Sequence, residues 1–124
     1  MAKGSQLSKI MKQDLSYNYD GKQAFHREAR RVLRLLVKQL GLTKGQYSIK
    51  SHPAGIAVSG EVSLHAEWFY LWVCKGCDDE STVIWRKCEG LEDYGYNYPN
   101  NDCDVAELDD VATFANRLTR LRSQ

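Results

Sequence analysis

The hydrophobic period of this chain changes twice, and that change limits the folds open to it. From Asp20 to Leu40 apolar residues recur at helical spacing: Phe25, Ala29, Val32, Leu33, Leu36, Val37 and Leu40 make one broad stripe. From about Gln46 to Cys88 the period falls to two. Tyr47 and Ile49 alternate with polar neighbours, as do Ile56, Val58, Val62, Leu64 and Ala66. From Val111 to Leu121 the helical spacing returns through Phe114, Ala115 and Leu118. The order predicted is helix, three or four strands, helix. Short connections between successive strands favour an antiparallel meander, with both helices packed on it as an α+β domain.

Punctuation agrees with this division. Asp20 is a predicted N-cap with Gln23 at the capping-box position, and Gly41 can close the helix in the left-handed conformation. The segment 51–55, Ser-His-Pro-Ala-Gly, reads as a turn, and Gly60 as a bulge or bend. Residues 75–81 read as a hairpin loop and residues 89–103 as a long loop rich in Tyr, Asn and Asp. Asp110 is the predicted cap of the last helix, whose Arg117, Arg120 and Arg122 oppose the negative end of its dipole. Residues 1–19 form a polar, basic arm or short helix, and residues 20–124 a single domain. At 124 residues the chain has room for one core. Trp68–Cys74 is apolar on both sides, with Phe69, Leu71 and Val73 opposed to Trp68, Tyr70, Trp72 and Cys74. Such a strand needs cover on two faces. The aromatic side is expected either to lie under the long loops or to form a homodimer surface.

Charge is divided as sharply as periodicity. Residues 1–50 carry eleven Lys or Arg against three Asp or Glu; residues 51–124 carry six against thirteen. Opposed halves of this kind point to a binding surface that the total of +1 conceals. Arg27, Arg30, Arg31, Arg34 and Lys38 lie largely off the apolar stripe, three or four residues apart. They could meet several phosphates, fork onto a partner's carboxylates, or serve as a solvated helix face. Between Asp78 and Asp110 stand eleven acids with only Arg86 and Lys87 as bases. That run could mimic a phosphate backbone, repel one, or neutralise the first helix within the fold. It lacks the spacing and glycine of a calcium loop. Tyr94, Tyr96 and Tyr98 repeat every second residue and offer rigid contact area to a partner.

No catalytic centre is legible. Ser63, His65 and Glu67 would share one strand face, but neither a nucleophile elbow nor an oxyanion sequence accompanies them. Cys74 and Cys77 have zinc-knuckle spacing. Cys88, however, falls at the far end of a strand that covers roughly 23 Å, so four thiolates at the hairpin tip are not expected. Acidic neighbours also disfavour a redox thiolate at Cys77. No cofactor or metal is therefore expected. The opening fifteen residues lack the apolar core of a secretory signal, and no run of eighteen apolar residues suits a bilayer. The cytoplasm, including that of a host cell, is the expected location.

Three stretches carry a resemblance: Gly60-Glu61-Val62-Ser63-Leu64-His65, then Trp85-Arg86-Lys87-Cys88-Glu89-Gly90, then Asp93-Tyr94 with Asn100-Asn101. Over roughly residues 45–120 the chain resembles small uncharacterised proteins carried by phages and plasmids. The resemblance implies a mobile-element setting, where small charged proteins inhibit host defence, as anti-CRISPR proteins do, or assist DNA maintenance. The function expected is nonenzymatic. The protein would bind and block a host protein or ribonucleoprotein complex, with direct DNA or RNA binding through the first helix as the alternative.

Overall fold

The computed structural model describes Leu7 and residues 19–52, 61–75 and 81–122. The rest of the N-terminal arm, the turn at 53–55, the alternation at Ile56 and Val58, the Gly60 bend and the hairpin tip with Cys77 lie outside the described residues. Leu7 itself is helical and fully buried.

The first helical stripe forms α1, Tyr19–Gln39. Phe25, Ala29, Val32, Leu33 and Leu36 are completely buried along it. Asp20 falls inside its first described turn rather than ahead of it. A carboxylate there still meets the positive end of the helix dipole. At the other end Gly41 takes φ 72°. Its N–H bonds the Lys38 carbonyl at 3.1 Å, and the Leu42 N–H bonds the Val37 carbonyl at 3.1 Å. These are the two hydrogen bonds of a Schellman cap, which a residue with a Cβ could close only under strain.

Five strands follow: β1 (Tyr47–His52), β2 (Glu61–Ala66), β3 (Phe69–Lys75), β4 (Ser81–Lys87) and β5 (Asn101–Asp104). They form one antiparallel sheet in sequence order. The meander is thus the predicted one with a fifth strand added. Residues 101–104, Asn-Asp-Cys-Asp, read as loop because Asn and Asp fit a pleated surface poorly. Pairing of Val83 with Cys103 and Trp85 with Asn101 supplies what local preference lacks. A single 3₁₀ turn, Val105–Asp109, leads to α2, Val111–Arg122. Asp110 caps α2 as its position predicts, accepting from the Thr113 N–H at 3.1 Å and from its hydroxyl at 2.8 Å.

Register then sorts the side chains. Ile49, Leu64, Leu71 and Trp85 stand in one cross-strand row, and Val62, Val73 and Val83 in the next. Both rows meet α1 and α2, which lie on this face and touch each other. Trp85 meets Phe114 of α2 edge to face at 5.0 Å. Each fully buried aliphatic or aromatic side chain here is worth about 1.5–3 kcal/mol, so this layer dominates the folding free energy. The opposite face carries Ser48, His65, Tyr70 and Arg86 in one row, and Lys50, Ser63, Trp72 and Ile84 in another. Trp68 does not join Tyr70 there. It precedes β3, packs beside the core and lies 5.2 Å beneath the Arg122 guanidinium.

Candidate binding surfaces

The predicted basic row divides in three. Arg31 forks onto Glu28 one turn back, at 2.7 and 2.8 Å, and this contact holds the guanidinium firmly charged. Arg30 turns toward the sheet and donates to the Ser51 hydroxyl at 2.6 Å. Arg27, Arg34 and Lys38 stay exposed, and no hydrogen bond or ion pair to a described residue engages them. At 1.5 Å rise per residue they span about 16 Å along one side of α1.

The acidic half does not fold back to neutralise them. The ion pairs drawn between described residues, Arg31–Glu28 and Arg117–Glu107, each stay within their own half. Several acids instead organise their own loops. Asp93 accepts from the Glu89 N–H at 2.7 Å and the Gly95 N–H at 3.0 Å. These amides, Gly95 foremost, hold its carboxyl below the usual range. Asp104 accepts from the Ala106 N–H at 2.8 Å and starts the 3₁₀ turn.

The loop from Cys88 to Asn100 curls over the sheet face opposite the helices. Arg86, only 9% exposed, ties it down. Its Nε donates to the Tyr94 carbonyl and its Nη1 to Asn100 Oδ1 at 3.2 Å. Its guanidinium lies 5.1 Å from the Trp72 ring centre, 5.5 Å from Tyr70 and 4.7 Å from Tyr96. His65 adds a second tie, its Nε2 facing the Gly90 carbonyl at 3.2 Å and that of Asp93 at 2.8 Å. Gly95 makes the close approach feasible: φ is 74°, and a Cβ there would fall 2.1 Å from the Lys87 carbonyl oxygen.

The three tyrosines therefore differ. Tyr94 rests against His65 at 4.8 Å and Tyr70 at 5.1 Å, and is half-exposed. Tyr98 donates to Glu89 at 2.8 Å, which pushes its own hydroxyl pKa up. Tyr96 alone is largely open to solvent, at 81%. Loop cover also reduces the aromatic area that Tyr70 and Trp72 present to a second copy.

Ser63, His65 and Glu67 do not form a catalytic row. β2 ends at Ala66 and Glu67 is exposed. His65 is held by loop carbonyls, and Ser63 Oγ sits 3.4 Å from Nε2 of His52 instead. The cysteines diverge as well. Cys103 packs against the helix-side core, while Cys74 pairs with Thr82 on the other face. Cys88 donates to the Ala66 carbonyl at 3.3 Å. Burial pushes the Cys88 and Cys103 thiols up, away from reactive thiolate. Among the described residues no three His, Cys, Asp or Glu side chains gather as metal ligands, and no helix is long and apolar enough to cross a membrane.

Two features escaped sequence reasoning. Arg86 counted only as a base in an acidic run, although an arginine isolated among aromatics and acids is a recognisable stacking candidate. Lys50, His52 and Glu61 became neighbours of Ser63 only through the β1–β2 register. The stretches that carry the phage and plasmid resemblance converge here too: His65, Arg86, Asp93, Tyr94 and Asn100 are the residues that fasten the loop. Comparison of the chain with protein-family models, curated proteins and solved structures finds no match.

Proposed function

We propose that this chain is a nonenzymatic binding protein that occupies and blocks a host nucleic-acid-processing or defence complex, in the manner of an anti-CRISPR protein. The observation that carries the reading is the exposed row of Arg27, Arg34 and Lys38, which the acidic half of the chain leaves unneutralised. Those cations would meet carboxylates or phosphate-lined surface on the complex, and Tyr96 would add an aromatic anchor. The mobile-element setting rests on the resemblance of residues 45–120. The host cytoplasm is the matching location.

Direct nucleic-acid binding is the second reading, favoured by the linear arrangement of the row. Three phosphate contacts give a salt slope of only about −3 on a logarithmic scale, a weak grip by itself. That weakness is why a protein or ribonucleoprotein partner is preferred.

Affinity capture from a host lysate, with and without nuclease, separates the two. Under the first reading a defined complex is retained after nuclease treatment, and its activity falls when purified protein is added. Charge reversal of Arg27, Arg34 and Lys38 abolishes both effects. Retention that vanishes with nuclease supports the second reading. A charge-reversed protein that still captures and inhibits would overturn the role of α1.

A further inference from the structure

Over β1 and β2 the covering loop stops short, and the sheet face opposite the helices is hollowed into a cleft of about 140 Å³. Lys50, His52, Glu61 and Ser63 line its strand side, with Tyr70 and Tyr94 as aromatic walls. A merely solvated sheet face would leave its polar residues in water. Here Ser63 is 4% exposed and His65 is 6% exposed, yet both line the cleft. Ser63 Oγ approaches His52 Nε2 and shares a hydrogen bond with the Tyr70 hydroxyl. Burial, with the Glu61 carboxylate near, pushes the Tyr70 phenol up and keeps it a donor.

Charge narrows the ligand. His52 faces Glu61 directly across the strand pair, and Lys50 faces Ser63, so Lys50 and Glu61 stand on a diagonal. No ion pair joins them. One cation and one carboxylate leave the lining without net formal charge, so a phosphate dianion would meet Glu61 at close range. A neutral ligand with an acceptor beside a donor satisfies both. The ring walls select a flat one, because aromatic side chains stack on π faces.

We propose that this cleft binds a nucleobase with a guanine-type edge, its carbonyl toward Lys50 and its adjacent N–H and amino group toward Glu61. A carboxylate takes two parallel N–H donors from such an edge, and the lysine ammonium donates to the oxygen beside them. Adenine lacks the carbonyl and the ring N–H, and would leave both protein charges without partners. The site stands apart from the α1 row and does not depend on it.

The test is an amide NMR titration of the full chain with guanosine, and with adenosine as competitor class. Nucleosides carry no phosphate, so α1 contributes nothing to the signal. Guanosine should shift the amides of residues 48–52 and 61–65 and bind about tenfold or more tighter than adenosine. Glu61→Gln should lose about tenfold of that affinity with its unfolding midpoint unchanged, and Lys50→Met, at an exposed position, should lose several-fold. A protein charge-reversed at Arg27, Arg34 and Lys38 should bind guanosine as the parent does. Silent amides in β1 and β2, equal binding of adenosine, or an unaffected Glu61→Gln protein would each overturn the assignment.

Discussion

The two faces of the sheet are covered by different physics. On one, α1 and α2 bury Leu64, Leu71, Val73, Trp85 and Phe114 through contacts that have no preferred direction and are shared among many side chains. On the other, a loop without helix or strand is held by a few directional contacts: Arg86 to the Tyr94 carbonyl and Asn100, His65 to two carbonyls, and Asp93 to two amides. The first face can absorb small changes anywhere. The second concentrates its stability in single residues, and it leaves part of the sheet uncovered. Loosely covered surface of that kind is where a small domain has room to bind.

The sharpest way to probe this contrast is to damage each face once. Phe114→Ala removes a fully buried ring that Trp85 meets edge on. It should cost about 3–5 kcal/mol of global stability, read as a lower denaturant midpoint. Arg86→Ala should cost less globally, about 2 kcal/mol, because it strands two acceptors and loosens three rings without opening the helix-side core. Its larger signature should be local: faster protease cleavage between residues 89 and 100. Arg86→Lys should not restore protection, since an ammonium lacks the planar fork. Equal cleavage of the parent and Arg86→Ala proteins would show that the loop is held by something else.

The smallest effect is a pH dependence confined to the loop. Asp93 has a folded pKa below its unfolded one, so the unfolded chain binds more protons in between. Its contribution is therefore complete above the ordinary carboxylate value of about 4 and lost as pH falls through the depressed folded value. Amide exchange at Glu89 and Gly95 should accelerate over that window before exchange in the helix-side strands does. In an Asp93→Asn protein the acid-induced step at those two amides should disappear.

Much of the helix-side face was legible beforehand. The buried residues of α1 and α2 are those of the 3.6-residue stripes, and Gly41 and Asp110 end and begin helices where their chemistry predicts. The loop-side face was not. Tyr94, Tyr96 and Tyr98 looked equivalent because they repeat every second residue, yet one packs, one is open and one is tied to Glu89. β5 was hidden because its Asn and Asp residues are drawn into a strand by β4 rather than by their own preference. Five basic residues read as one row. Two of them found partners, Glu28 in the next turn and Ser51 across a fold, and of these only the first was visible as an i, i+3 neighbour.

By itself, then, the sequence determined the helices, the alternating strands, the apolar layer between them and the separation of charge, because each depends on spacing within a dozen residues. The tertiary structure decided how the loop returns across the sheet, which cations stay exposed, and that His52 and Glu61 flank Ser63 beneath an uncovered rim. Those outcomes depend on strand register and on contacts between distant segments. A one-residue change of register would turn every side chain of β1 to the other face, and no local pattern states which register is taken.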